Sequence, residues 1–165
     1  MQTGWKKLKE AIQRTNRFVA KAGACSLILL MLLTAGDVIG RDVLGRPVPG
    51  TVELSQYLLA VFALLGLAYT QQVKGHVTVS VLTSRLPVSG QLLLTLVSSL
   101  LGLGLFGLLA WQGWVVGVEE RTVSDILRLP QLPFRLLVAV AGCLVCFELL
   151  IDAGDALERM IRRSP

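Results

Sequence analysis

Charge is scarce in this sequence: Asp, Glu, Lys and Arg make up 16% of the 165 residues, where a soluble domain carries about 25%. Aromatic residues reach only 6%, and the chain has one histidine and three cysteines. The apolar excess, 53% of the chain, therefore comes from small and aliphatic side chains. This composition excludes a disordered chain, a coiled coil and most soluble enzymes, and it indicates a membrane protein.

Four long runs with little or no charge predict four transmembrane helices, because about 20 helical residues cross a bilayer core of about 30 Å. A helix satisfies its own backbone hydrogen bonds in lipid, whereas an open sheet does not. We therefore expect an all-α membrane protein that forms a single membrane domain over residues 1–165. The expected spans are residues 20–43, 53–73, 87–118 and 132–152.

The N-terminal segment is both basic and amphipathic. Trp5, Leu8, Ile12 and Val19 recur at helical spacing, and Lys and Arg side chains occupy the rest of the helical wheel. We expect residues 5–20 to form an interfacial helix on the anionic cytoplasmic leaflet, with membrane lipids as partners. The segment serves as an orientation anchor or, alternatively, as a docking arm for another protein. A cleaved signal peptide is not expected, since no small-residue cleavage site follows the first apolar run.

The distribution of positive charge predicts the topology. Eleven of the sixteen Lys and Arg residues fall on the cytoplasmic side if both termini are cytoplasmic, as the positive-inside rule favours. A nucleic-acid-binding protein would instead need a basic face on a soluble fold. We therefore expect both termini in the cytoplasm and no nucleic-acid partner.

Residues that could carry chemistry are few. Cys143 and Cys146 have the spacing of a thiol redox pair, but they lie in the apolar middle of the fourth span, where thiolates are disfavoured. The only histidine, His76, cannot supply bis-histidine haem ligation within this chain. The sequence has no cluster of metal-ligating residues, no glycine-rich phosphate loop and no nucleophile–base pair. We therefore expect no enzymatic activity, no catalytic residue, no metal and no cofactor.

The carboxylates within the spans should be paired, because an isolated charge in mid-bilayer is costly. Asp37 and Arg41 stand four residues apart on one helical face and are expected to pair. Glu148 is expected near the cytoplasmic side of the fourth span, at the level of Lys21, and to pair with it. Structural pairing is favoured over a role in coupling ions to transport.

Glycines in the spans predict close helix packing. Gly36 with Gly40, and Gly113 with Gly117, form G-x-x-x-G motifs, which allow helix backbones to approach one another. Further glycines are found at positions 102, 104 and 107. So many small residues in a short chain suggest a partner within the bilayer as well as packing within the chain.

An ordered series of residues around the second span resembles a known family. Its elements are an R-x-x-x-G-x-P stretch, an acidic residue, G-x-A-Y, and a G-H-hydrophobic-x-V stretch. In this order and spacing the sequence resembles the small membrane subunit, of DctQ type, of tripartite ATP-independent periplasmic (TRAP) transporters. The resemblance is most specific over residues 37–86, and Leu129-Pro130 and Pro133 agree with the last connection of that family.

The resemblance implies an accessory subunit in the bacterial inner membrane. It would support a large membrane subunit in the ion-gradient-driven uptake of an organic acid that a periplasmic binding protein delivers. On this mapping Arg41, Arg46, Glu53 and the 119–133 connection face the binding protein, whereas His76 and the 77–86 segment face the cytoplasm. The candidate partner-contact or structural residues are Arg41, Arg46, Pro47, Glu53, Gly66, Tyr69 and His76.

Two alternatives remain open from the sequence. A self-sufficient small multidrug or ion exporter would act as a homo-oligomer and would use Asp37 or Glu148 as its proton site. Both residues are expected near interfaces, which counts against this function. A membrane thiol oxidoreductase would depend on Cys143 and Cys146.

Overall fold

The computed structural model describes residues 2–75, 87–119, 122–124 and 126–161. This part of the chain is almost entirely helical, and each helix contains a stretch long and apolar enough to cross a membrane. The prediction of an all-α protein with four membrane helices is confirmed, while the side of the membrane on which the termini lie stays a prediction. The helices are α1 (Gln2–Leu44), α2 (Thr51–Gln72), α3 (Val88–Glu119) and α4 (Leu132–Ile161).

The first helix is one uninterrupted helix of 43 residues. The segment predicted as amphipathic, residues 5–20, is helical and continues directly into the first span. At a rise of about 1.5 Å per residue, α1 is about 65 Å long, roughly twice the thickness of a bilayer core. The position of residues 5–20 at the membrane interface stays a prediction.

The four helices pack side by side in the order α1, α2, α4, α3. The main contacts join α3 to α4, α4 to α2, and α2 to α1, and only a minor contact joins α1 to α4. In α4, 39% of the most apolar stretch is buried, whereas the corresponding values for the other helices are 6% to 11%. The arrangement therefore encloses α4 and leaves the apolar surfaces of α1 and α3 largely uncovered.

Glycines set the distance between α3 and α4. A methyl group on Gly113 would lie 2.9 Å from the backbone nitrogen of Ala139, and one on Gly142 would lie 3.1 Å from the carbonyl oxygen of Phe106. Because the obstructing atoms belong to the backbone, larger side chains at these positions would force the helices apart. The two helices thus pack through close backbone approach.

The other glycines of the predicted motifs have different surroundings. Gly117 packs on Leu136, so the second motif does mediate packing within the chain. Gly36, Gly104 and Gly107 have open space where a side chain would stand. Their positions leave bare helix surface on α1 and α3.

The apolar core is small. It is centred on Ala68 of α2 and on Val145 and Leu149 of α4. Half-buried side chains of α2, α3 and α4 pack around these residues. The core lies where α4 meets its two neighbours, and it contains no side chain of α1 among the residues described.

Candidate functional site

Polar side chains gather at the two opposite ends of the row of helices. We call the first the turn end: it contains residues 37–57, 122–124 and 126–135, which include the α1–α2 connection and the connection before α4. We call the second the terminal end: it contains residues 7–21 of α1, residues 71–75, and residues 148–161 of α4. Between the two ends the described helices present mostly apolar surfaces.

Asp37 organises the turn end. The residue is 7% exposed; its Oδ2 accepts a hydrogen bond of 2.7 Å from Arg41 Nη2, and its Oδ1 accepts one of 2.9 Å from the backbone N–H of Val48. The Thr51 hydroxyl lies 3.2 Å from Oδ1 of Asp37 and 2.8 Å from the carbonyl oxygen of Val48, and each of these oxygens is an acceptor within its reach. The ion pair expected from the spacing of Asp37 and Arg41 is therefore formed. The same carboxylate also ties the end of α1 to the start of α2, which the spacing did not predict.

The α1–α2 connection reverses the chain with two glycines in the left-handed region, Gly45 (φ 64°) and Gly50 (φ 79°). Side chains rarely adopt such backbone angles, whereas glycine does so readily. A methyl group on Gly50 would also lie 2.6 Å from Cγ of Leu127. Gly50 is therefore required twice, by its own backbone angle and by the neighbouring connection that packs on it.

Glu53 joins the two connections of the turn end. It stands in the first turn of α2, where a carboxylate is favourable with the helix dipole. Its Oε2 accepts a hydrogen bond of 2.9 Å from the backbone N–H of Leu127. From its sequence position, Glu53 was expected either to contact a partner or to have a structural role. Its hydrogen bond with Leu127 is a structural contact between the two connections.

The connection before α4 forms a short hairpin-like turn. An isolated bridge pairs Val123 with Pro130, and the Ser124 N–H donates to the Leu129 carbonyl over 2.9 Å. The Ser124 hydroxyl accepts in return from the Leu129 N–H, also at 2.9 Å. These reciprocal bonds give the turn a defined shape, although its outer surface is exposed.

A cleft of about 440 Å³ opens at the turn end between the start of α2 and the start of α4. The rings of Tyr57 and Phe134 stack beside it with their centroids 4.1 Å apart. Gln131 Oε1 accepts hydrogen bonds from Arg135 Nη2 (3.1 Å) and from the Thr122 hydroxyl (3.0 Å). The cleft therefore has a mixed polar and apolar lining, in which the stacked rings join α2 to α4.

At the terminal end, Glu148 and Asn16 form a buried polar pair. Asn16 is fully buried and Glu148 is 2% exposed, and Asn16 Nδ2 donates to Glu148 Oε1 over 2.7 Å. Oδ1 of Asn16 has no hydrogen-bond partner among the residues that the structure describes. The expected partner of Glu148 was Lys21, and this is a correction: Lys21 is exposed and forms no ion pair with Glu148. The register of α1 against α4 is the reason, since it brings Asn16, five residues earlier than Lys21, opposite Glu148.

Two further polar contacts bind the terminal end together. Lys9 forms an ion pair with Asp155, three residues beyond the predicted end of the fourth span. Asp152 accepts a hydrogen bond of 3.0 Å from Gln71 Nε2 and lies 3.8 Å from Lys74 Nζ. Carboxylates of α4 thus contact both α1 and α2.

Sequence reasoning missed Asn16 and the register that it defines. A signal was nevertheless present: Lys9 and Asn16 are seven residues apart on α1, and their partners Asp155 and Glu148 are seven apart on α4. Seven residues make two helical turns, so each pair of side chains shares one face. Two antiparallel helices with matching seven-residue spacing of polar groups are typical of such a contact.

The predicted site residues are distributed over both ends. Arg41, Arg46 and Pro47 lie exposed at the turn end, close to one another in the chain. Gly66 and Tyr69 lie on α2 nearer the terminal end, with open space at Gly66 and a 37% exposed Tyr69. His76 lies outside the described residues. The predicted residues of the turn end therefore lie together, and Gly66 and Tyr69 lie apart from them.

The cysteines and the acidic side chains are the residues that could carry chemistry in the described part of the chain. The three cysteines are free, and Cys143 is exposed on the surface of α4. Over the described ranges, no three His, Cys, Asp or Glu side chains come together as a metal site would require. The polar side chains instead connect helix to helix, which is a structural use.

One comparison with known proteins bears on function. The model of the DctQ component family of tripartite ATP-independent periplasmic transporters matches residues 30–159. The match includes the whole turn end as well as Glu148 and Asp155, while Lys9 and Asn16 precede it. No curated protein matches the chain.

Proposed function

The chain belongs to the DctQ family of TRAP transporter components, and from this premise we propose that it is an accessory subunit that supports ion-gradient-driven uptake of an organic acid. DctQ components are inner-membrane parts of tripartite transporters, not enzymes. On this proposal a large membrane subunit carries out transport and a periplasmic binding protein delivers the solute. The small subunit holds the large one in place.

The main observation in support of the proposal is that the helices expose much apolar surface and enclose only a small core. Three of the four apolar stretches are only 6% to 11% buried, and the helices stand in a row with a small core. A transporter of this size acting alone would have to enclose a polar pathway. A row of helices with bare faces supports a role beside a larger membrane protein instead.

The state of the two intramembrane carboxylates supports the same conclusion. A small exporter would need Asp37 or Glu148 to exchange protons with a pathway. Asp37 is held by Arg41 and the Val48 N–H, and Glu148 is buried against Asn16. Both carboxylates serve helix contacts, so the exporter alternative has no proton site that the structure favours.

The outward faces of α1 and α3 are the candidates for contact with the large subunit. On α1, a shallow apolar hollow of about 620 Å³ lies between Met31, Ala35 and Ile39. On α3, Gly104 and Gly107 leave bare backbone. Small residues allow another helix to approach closely, and one of these surfaces therefore receives the large subunit.

Co-purification with the large subunit tests the proposal. The affinity-tagged chain, co-expressed with the large subunit and extracted in a mild detergent, should recover that subunit in a constant ratio. Uptake in proteoliposomes should require both chains and the binding protein. Recovery of the small chain alone, with full uptake activity, would contradict the accessory role.

Matched tryptophan substitutions locate the contact. Ala35→Trp fills the hollow on α1, Gly104→Trp covers bare backbone on α3, and Phe18→Trp is the control, since it replaces one exposed aromatic side chain with another. Of the first two variants, the one at the contact should reduce recovery of the large subunit at least about five-fold, whereas the control should not. If all three variants recover the subunit equally, the contact does not lie on these faces.

The turn end is our candidate for docking the binding protein. Arg46 and Arg128 are exposed there, and exposed charges at the rim of an interface mainly accelerate association. The double variant Arg46→Glu with Arg128→Glu should raise the concentration of loaded binding protein needed for half-maximal uptake by about ten-fold. The control Arg159→Glu lies at the opposite end and should leave that concentration unchanged; equal effects would exclude docking at the turn end.

A further inference from the structure

The N-terminal half of α1 carries three parallel stripes of side chains. The first stripe, at positions 9, 12, 16, 19 and 23, faces the rest of the protein: Lys9 and Asn16 bind α4, and a methyl group on Gly23 would lie 3.0 Å from Cβ of Leu65 on α2. These contacts fix the rotation of the helix about its axis. The other two stripes are consequently directed away from the protein.

The second stripe is cationic. It comprises positions 7, 10, 14, 17 and 21, two residues before the packed stripe and therefore about 160° around the helix. Lys7, Arg14, Arg17 and Lys21 are all exposed, and Glu10 is the one carboxylate among them. None of the four cations forms an ion pair within the described part of the chain.

The third stripe runs beside the cationic one and is mostly apolar. It comprises positions 8, 11, 15, 18 and 22, and its largest members are Leu8, 54% exposed, and Phe18, 74% exposed. The stripe is continuous with α1, which extends into the span without a break. Unpaired cations thus lie directly beside an exposed aromatic ring on a helix that enters the membrane.

We propose that the cationic stripe and Phe18 form a binding site for anionic phospholipid. The phosphate groups of the lipid lie against Arg14, Arg17 and Lys21, and the glycerol and upper acyl chain pack on Phe18 and the apolar stripe. Charge complementarity favours an anionic head group over a zwitterionic one, and the adjacent apolar stripe favours a lipid over a soluble phosphate. The inference does not rest on the transport role.

Native mass spectrometry of the full chain in neutral detergent tests this site. Phosphatidylglycerol and phosphatidylcholine with identical acyl chains are the two probes. The protein should bind phosphatidylglycerol at least about ten-fold more tightly than phosphatidylcholine. Equal affinity for the two lipids would overturn the proposal.

The decisive variant is Arg14→Gln with Arg17→Gln and Lys21→Gln. Each cation near a membrane surface contributes about a five-fold gain in affinity for anionic lipid, so the triple variant should bind phosphatidylglycerol about a hundred-fold more weakly. Its affinity for phosphatidylcholine should not change. Wild-type affinity for phosphatidylglycerol in this variant, with the helix content intact by circular dichroism, would overturn the proposal.

The matched control removes the same charge elsewhere: Arg46→Gln with Arg128→Gln and Arg159→Gln. These three side chains are exposed and lie off the stripe, so binding of phosphatidylglycerol should stay within about two-fold of the wild type. A loss equal to that of the stripe variant would mean that only net charge matters and would overturn a defined site.

Two further experiments distinguish a lipid from two other possible ligands of the cationic stripe, a soluble anion and an acidic protein surface. Glycerol phosphate at millimolar concentration should fail to displace phosphatidylglycerol; displacement would assign the stripe to a soluble anion. The stripe variant should still recover the large membrane subunit in a pull-down. Loss of that subunit with lipid binding intact would assign the stripe to an acidic protein surface. Either of these results overturns the lipid site.

Discussion

The two ends of this molecule are held together in different ways. At the turn end, Asp37 collects donors from the next 14 residues of the chain. At the terminal end, the bond from Asn16 to Glu148 joins residues 132 positions apart, and the ion pair of Lys9 and Asp155 joins residues 146 apart. Similar polar chemistry thus closes a local turn at one end and sets the register of distant helices at the other.

The difference separates two tasks of polar groups in a membrane protein. A carboxylate next to a turn accepts hydrogen bonds from backbone N–H groups that lie outside the helices. A buried polar pair between helices instead selects one register, because sliding either helix would leave both groups unpaired in an apolar setting. The turn end should therefore respond to local changes, and the terminal end should respond to changes in either of two distant helices.

The largest effect should come from breaking the turn end at its centre. Asp37→Ala removes the acceptor for the Val48 N–H and for Arg41, and it should lower the midpoint of thermal unfolding in detergent by about 5–10 °C. The control Asp37→Asn retains Oδ1 as an acceptor for Val48 and should lower the midpoint by less than half as much. If both variants lower the midpoint equally, the charge of Asp37 alone stabilises the turn.

The contact between the two connections at the turn end should come next. Gly50→Ala places a methyl group against Leu127 in a left-handed backbone conformation, and we expect the midpoint to fall by about 4–8 °C. Adding Leu127→Ala removes the obstruction and should recover part of this loss. A double variant that is as unstable as the sum of the two single variants would show that the contact is not responsible.

At the terminal end, we expect a loss of about 3–6 °C for Glu148→Leu, because Asn16 then stays buried without its hydrogen-bond acceptor. Glu148→Gln keeps the acceptor and adds a donor that can reach the unpaired Oδ1 of Asn16, so this variant should be at least as stable as the wild type. The double variant Asn16→Leu with Glu148→Leu removes both polar groups and should recover stability relative to Glu148→Leu. No recovery would argue that the pair does not act as a unit.

The smallest effect should belong to the ion pair of Lys9 and Asp155, whose side chains are both about 30% exposed. Lys9→Ala should lower the midpoint by no more than about 2 °C, since partly exposed ion pairs contribute little. The exchange Lys9→Asp with Asp155→Lys should restore the wild-type midpoint. If Lys9→Ala lowered the midpoint more than Glu148→Leu does, the ion pair would contribute more to stability than the buried pair, contrary to the order proposed here.

The sequence predicted the turn end better than the terminal end. The pairing of Asp37 with Arg41 depends on one helical turn, which periodicity reveals, and the residues of the DctQ resemblance lie in the same stretch. A structural role for Glu53 was one of two options, but its partner Leu127 was not foreseen, because 74 residues separate the two positions. The pairing of Glu148 with Lys21 was wrong, since an estimate of depth along each helix does not determine how two helices are rotated and shifted against one another.

Composition and periodicity by themselves determined that this chain has four apolar helices, that it enters a membrane, and that it carries few groups for chemistry. These properties follow from how many charges the chain has and where they interrupt its apolar runs, which needs no knowledge of contacts. The tertiary structure alone decided which helices are neighbours, that glycines bring α3 against α4, and that Asn16 faces Glu148. Those facts depend on the register and rotation of packed helices, and a shift of one residue rotates a helical side chain by about 100°.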